Sequence, residues 1–177
     1  MDAQSLAESF PPGIELPPEL RSLCYWVEEN GYPISGYFEL CEHDDETIRC
    51  WFGSDAAVGE LAQFGAGPDG SLYCLWRSPD GGTPIVHMGF EGQNNFVLAS
   101  SPVDFLRLLA VGYDEIGFAD LDAPPVEDEG DPTVNVLFQR WVADTFKAAI
   151  PSTGSEIVAP AQASHDDFQA WIEPRCG

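Results

Sequence analysis

Apolar residues in this chain fall into helical stripes toward both ends and short dense blocks in the middle. From Pro18 to Asn30, Leu20, Leu23, Cys24 and Val27 recur at helical spacing beside Tyr25 and Trp26. Pro18 suits a first-turn position and Asn30-Gly31 a stop, so a helix is predicted that ends where Tyr32-Pro33 forces extended backbone. Residues 34–41 and 47–52 read as short strands joined by the polar Glu42, His43, Asp44, Asp45 and Glu46, the form of a hairpin. Residues 54–64 fit either a short helix or a loop leading into a strand. Three stronger strand signals follow at 71–77, 83–90 and 95–100, separated by turn-rich 78–82 and 91–94. Such short links suit antiparallel neighbours, which places a sheet of about four to six strands at the centre.

Beyond the sheet signals, Ser101 is a candidate N-cap and Pro102 a first-turn residue for a helix ending at Gly112, with little polar face among Val103, Phe105, Leu106, Leu108, Leu109 and Val111. Val134, Leu137, Phe138, Trp141, Val142, Thr145 and Phe146 form a stripe for a helix over 134–150 closed by Pro151. A last short helix is expected with Ser164 as N-cap, Asp166 and Asp167 in its first turn and Pro174 beyond it. Residues 1–17, with Pro11, Pro12 and Pro17, read as a loosely held arm or as a short helix followed by an extended approach. Strands grouped mid-chain with helices on both sides predict an α+β fold with a mostly antiparallel or mixed sheet.

Composition adds a boundary and a bias. With 177 residues, 44% of them hydrophobic and 12% aromatic, the chain is sized for one domain with one sizeable core. No apolar run approaches the ~18 residues of a membrane span, and Met1 to Phe10 has neither the basic nor the apolar region of a secretory signal. Cys24, Cys41, Cys50, Cys74 and Cys176 are odd in number and include no CxxC pair, which reads as reduced core thiols of a cytoplasmic protein. Thirty Asp and Glu against seven Lys and Arg give a formal net charge of -23. Such a surface repels nucleic acid and anionic membranes and attracts a cationic partner, although high acidity also serves solubility alone. The bias is sharpest in 113–132, where Asp114, Glu115, Asp120, Asp122, Glu127, Asp128, Glu129 and Asp131 stand with no Lys or Arg. This linker is expected to be exposed.

Catalytic motifs are fragmentary. His43, His87 and His165 lack a second His or Cys at metal-ligand spacing, and each reads as structural or solvated. Cys74 with His87 is a conceivable nucleophile pair on neighbouring strands, but Cys74 between Tyr73 and Leu75 reads as buried and inert. His43 to Glu46 lack the alternating spacing and glycine of a calcium loop. Gly65, Gly67 and Gly70 imitate a dinucleotide fingerprint, yet a strand follows where a helix is required, so Pro68-Asp69-Gly70 reads as a tight turn. Neither a catalytic residue, a metal nor a cofactor is expected.

The order of elements is more telling. Phe64-Gly65 precedes Pro68-Asp69-Gly70-Ser71-Leu72-Tyr73-Cys74-Leu75-Trp76. Pro84-Ile85-Val86-His87-Met88-Gly89-Phe90-Glu91-Gly92, then Val97 to Ser101, then Asp104-Phe105-Leu106-Arg107-Leu108-Leu109 follow. This succession resembles the SUKH superfamily, which joins bacterial immunity proteins with the Smi/Knr cell-wall regulators of yeast. The resemblance covers residues 64–113, with Leu16 to Leu20 and Asp167 to Trp171 compatible. Phe90 departs from it, standing where a small polar residue is frequent. The resemblance implies one SUKH-like α+β domain over 18–177, carrying the acidic linker 113–132 and preceded by an arm over 1–17. It implies no enzymatic activity, and a role as an immunity protein that sterically neutralises a secreted polymorphic toxin, often a nuclease. The alternative it carries is a regulatory or scaffold protein of the same fold with a cellular partner.

Charge and resemblance together point to a basic toxin as partner, bound by a chain that is monomeric when free. The expected contact surface is the acidic connection Glu42, Asp44, Asp45 and Glu46, the turn residue Glu91, and the acidic linker residues Asp120, Asp122, Glu127, Asp128, Glu129 and Asp131. Trp51, Trp76 and Phe90 are the candidate aromatic anchors.

Overall fold

The computed structural model describes residues 1–34, 37–126 and 134–175. In chain order its elements are α1 (Ala3–Ser9), α2 (Pro18–Asn30), β1 (Glu39–Leu40), α3 (Asp45–Phe52), β2 (Leu61–Ala66), β3 (Leu72–Trp76) and β4 (Ile85–Met88). They continue with a 3-10 turn (Phe90–Gly92), β5 (Phe96–Ala99), α4 (Pro102–Val111), α5 (Val136–Phe146), α6 (Ser155–Ser164) and α7 (Asp167–Ile172). The strands form one antiparallel meander in the order β1-β2-β3-β4-β5. The fold is α+β, as the grouping of strands and helices predicts.

Helices cover both faces of the sheet, so its strands are dense apolar runs instead of alternating ones. On one face Phe38, Phe64, Tyr73, Leu75 and Ile85 pack with α2, α4 and α5. Phe38, Tyr73, Phe64 and Phe105 interlock edge to face there, with ring centroids 5.0 to 6.3 Å apart. On the other face Leu61, Leu72, Cys74, Trp76, Val86 and Met88 meet Ile48 and Phe52 of α3 and Phe168, Trp171 and Ile172 of α7. The sheet edges are also covered. The outward Leu40 N–H of β1 donates to the Tyr32 hydroxyl at 2.9 Å, while α6 packs against β5.

The predicted hairpin over 34–52 is replaced by a strand and a helix. Ile48, Cys50 and Phe52 alternate as in a strand, but Ile48 and Phe52 are also one helical turn apart, and both are buried while Cys50 is exposed. Asp44 caps the helix by accepting the Glu46 N–H at 3.0 Å. Asp45 and Glu46 occupy its first turn, and Gly53 ends it in the left-handed region. Of the two readings of 54–64, a loop into a strand is what forms, with β2 starting at Leu61.

Of the two readings of residues 1–17, the short helix followed by an extended approach is what forms, and the loosely held arm is corrected. Asp2 caps α1, and Ala3, Leu6, Phe10, Ile14 and Leu16 are buried in the same core as α2. The cap at Ser101 and the stop at Gly112 are as predicted for α4: Ser101 Oγ accepts the Asp104 N–H at 3.2 Å. The 134–150 helix is shorter than its apolar stripe, running Val136–Phe146 between the Asn135 cap and Lys147 at φ 53°. Phe138 and Val142 face the core, but Leu137, assigned to the stripe, is exposed.

The C-terminal region holds one more helix than predicted. Ser164 ends α6, its hydroxyl donating to the Pro160 carbonyl at 2.9 Å, and α7 starts at Asp167. Pro160 inside α6 hides the signal, whereas Glu156 reaches back to accept the Ser152 and Thr153 N–H groups at 2.8 and 3.2 Å and supports its start. Among the described residues no helix is long and apolar enough to cross a membrane.

Candidate protein-binding face

Several irregular segments meet at one end of the sheet. Glu39 pairs with Ala66, so Tyr37 lies beside the β2–β3 turn, and its N–H donates to the Asp114 carbonyl at 3.2 Å. The β2–β3 turn closes through Gly67 N–H to Ser71 O at 2.9 Å, with Asp69 accepting the Ser71 N–H at 3.0 Å, a hairpin in place of a phosphate loop. At the neighbouring β4–β5 turn, Gly89 is required by close approach: a Cβ there would strike the Gln93 carbonyl. Trp51 donates its indole N–H to Gly89 O at 3.2 Å from α3.

Residues 113–126 run along this end as a pinned loop. Tyr113 donates from its hydroxyl to Ala123 O at 2.6 Å and accepts the Gly154 N–H at 2.8 Å, while Leu121 O accepts the Ser155 N–H at 2.9 Å. Ile116 is buried, and Gly117 lies so close on the His87 ring that a Cβ would collide with it. The expectation of a wholly exposed linker is thereby corrected: Tyr113 and Ile116 anchor it and its carboxylates point outward around them. Burial lowers the His87 pKa, against the opposing influence of its Nδ1–H bond to Asn94 O at 2.8 Å and of the Asp69 charge. The Tyr113 hydroxyl is pushed up by burial first, and further by Asp120, Asp122 and Glu156.

Between this loop and Tyr37 opens a groove of about 500 Å3, lined by Tyr37, Phe118, Pro124, Pro125 and Val126 with Asp114, Glu115 and Asp120. Three of the large apolar side chains exposed among the described residues line it: Tyr37 at 56%, Phe118 at 58% and Val126 at 80% exposure, while Val136 and Leu137 are exposed at the start of α5. That helix start is tied to the ends of α2 and α4, where Asn135 donates to Pro33 O at 2.8 Å and Val134 packs on Gly112. Exposed apolar side chains grouped in one groove are a feature of interaction sites. No Lys or Arg lines the groove, and among the described residues none of its three carboxylates pairs with a cation. Arg49, Arg77, Arg107 and Arg175 are each engaged by internal partners.

The residues expected to make contact divide between several places. Asp120 and Asp122 flank the groove, with Asp120 Oδ1 accepting the Asp122 N–H at 3.1 Å. Phe90 is 54% exposed at the same end, packed near Gly70, and Glu91 belongs to the 3-10 turn beside it. Trp51 is half-buried. Trp76 is no anchor: it is fully buried against Phe168 and Trp171, at centroid distances of 5.0 and 5.3 Å. Glu42, Asp44, Asp45 and Glu46 are exposed but lie away from the groove, because α3 runs from Asp45 beside mid-sheet Gln63 to Trp51 at the turn end. Glu127, Asp128, Glu129 and Asp131 lie outside the described residues. Tyr37, Asp114, Glu115, Phe118 and Val126 line the groove without having been singled out in the sequence; the isolated aromatic in an acidic run at Phe118 is the available signal.

The conceivable Cys74–His87 pair is separated by the sheet itself. Cys74 stands opposite Val86 and Tyr73 opposite His87, so thiol and imidazole point to opposite faces. Burial raises the Cys74 pKa strongly and pushes the Cys24 and Cys41 thiols up to about 11. Cys50 departs from the reading of buried core thiols, being exposed. His43 accepts the Gln63 N–H on Nδ1 at 3.2 Å and donates from Nε2 to Asp45 at 3.0 Å, which fixes its neutral tautomer. Among the described residues no group of three or more His, Cys, Asp or Glu is arranged to hold a metal ion.

The fold and the groove define an α+β protein with an apolar, acid-rimmed face. No family model, curated protein or solved structure matches the chain.

Proposed function

We propose that this chain is an inhibitor of a basic protein, of the immunity type that the SUKH resemblance implies, acting by occlusion and without chemistry of its own. The observation that carries the reading is the groove: exposed Tyr37, Phe118 and Val126 beside carboxylates that pair with no cation among the described residues. A net charge of -23 supplies the long-range part. Complementary fields accelerate encounter, and apolar contact then slows dissociation. The nuclease class of toxin suits this scheme, since an enzyme that grips a polyanion presents cations around its cleft, and an acidic protein seated there blocks substrate entry.

The test is co-expression of this protein with the products of its neighbouring genes. The expected result is that one product is basic, arrests growth alone and is tolerated when this protein is present. A cellular partner bound without any growth arrest would replace the inhibitor with the scaffold alternative.

A further inference from the structure

We infer that the groove between Tyr37 and residues 113–126 receives an arginine side chain of the partner, presented between apolar neighbours. This rests on the reading of a basic protein partner and deepens it by naming the group recognised.

Three properties of the groove converge on guanidinium. Its walls include two exposed rings, Tyr37 and Phe118, with Pro124 and Pro125 between acidic residues. A planar, weakly hydrated guanidinium stacks on such faces better than a compact ammonium does. The carboxylates of Asp114, Glu115 and Asp120 are free to accept a forked donor, for none of them meets a cation among the described residues. Asp120 uses one oxygen for the Asp122 N–H and leaves the other uncommitted. The carboxylates act on the groove wall: beyond the larger effect of burial, Asp120 and Asp122 add to the upward shift of Tyr113. A volume of about 500 Å3 also exceeds what one arginine fills, leaving space for apolar side chains on either side of it.

The groove needs no induced opening. Tyr113, Leu121 and the Gly117–His87 contact hold in place the loop that forms one wall, which lowers the ordering cost of binding. This is the arrangement expected of a central anchor pocket, where aromatic and arginine contacts dominate the energy of an interface.

The test titrates the ¹⁵N-labelled protein with acetyl-Leu-Arg-Leu-amide and with the same peptide carrying citrulline, which keeps the shape of arginine and lacks its charge. Shifts at Tyr37 and 114–126, at least about tenfold weaker for citrulline, are expected. They should be lost in Phe118→Ala and in Glu115→Gln/Asp120→Asn, while Glu42→Gln/Asp45→Asn leaves them unchanged; the spectra themselves report that each variant is folded. Equal shifts with citrulline, or shifts spread evenly over the acidic surface, overturn the assignment. Peptide binding in the groove without any toxin among the neighbouring gene products would retain the arginine site and remove the immunity reading. A toxin held by a protein whose groove ignores the arginine peptide would do the reverse.

Discussion

Two acidic segments of this protein look alike in sequence and differ in what their carboxylates meet. In the first, Glu42 to Glu46, three of the acids have internal work: Asp44 caps α3, Asp45 accepts from His43, and Glu46 pairs with Arg49, which also reaches Asp55 at 2.6 Å. In the second, Asp114, Glu115 and Asp120 meet no cation among the described residues and stand beside exposed aromatic rings. Acidity by itself therefore does not mark a binding surface. What marks it is negative charge left uncompensated next to apolar area, because only that combination gains both a counter-charge and dehydration from a partner.

The widest gap between structural and binding roles is between two aromatics. Trp76→Ala should lower unfolding free energy by about 3–5 kcal/mol, since it empties a fully buried site between Phe168 and Trp171. Phe118→Ala, at an exposed position, should change stability by no more than about 0.5 kcal/mol while abolishing arginine-peptide binding. Urea unfolding followed by Trp fluorescence and circular dichroism measures both. Next in size is the cap of α3: Asp44→Ala should cost about 1 kcal/mol in the same assay.

A third contrast appears with pH. Burial lowers the His87 pKa in the folded state, so below about 6.5 the unfolded chain takes up a proton that the folded one refuses. The contribution of His87 to stability is complete above that value and is lost as pH falls from it toward the depressed folded value. Protonation of the many carboxylates reduces self-repulsion and acts oppositely, so the comparison is between proteins: His87→Gln should flatten the loss of stability on going from pH 7 to 5. An unchanged pH profile would mean that His87 titrates equally in both states. The smallest effect belongs to the groove. Asp114→Asn/Glu115→Gln/Asp120→Asn should alter unfolding free energy by only about 0.5 kcal/mol or less, because no ion pair among the described residues is lost and an amide oxygen at position 120 still accepts the Asp122 N–H.

The α+β grouping, α2, α4 and strands β3 to β5 could be read from the chain because local signals agreed there: Pro18 and Pro102 at helix starts, Gly31 and Gly112 at their ends, and dense apolar blocks between turns. Residues 47–52 misled because period two and period four coincide at Ile48 and Phe52, and only tertiary packing with exposed Cys50 separates them. The helix α6 was hidden by Pro160. Of the candidate site, the acidity of 113–126 was legible and its geometry was not. The seating of Gly117 on His87 depends on a strand that lies about 30 residues earlier, and the appearance of Tyr37 beside Asp114 on a segment more distant still along the chain. Trp76 shows the converse, since a strand-end Trp looks the same in sequence whether it faces a helix or a partner.

The most direct test of the central claim compares charge-matched variants in a pull-down against the neighbouring gene products at low and high salt. Asp114→Asn/Glu115→Gln/Asp120→Asn and Glu42→Gln/Asp45→Asn/Glu46→Gln each remove three negative charges, one set at the groove and the other beside α3. The account predicts that a basic, growth-arresting protein is captured by the α3 variant and by the unaltered chain, is released by salt, and is lost by the groove variant. Equal capture by both variants, or loss only when the α3 acids are removed, would contradict it.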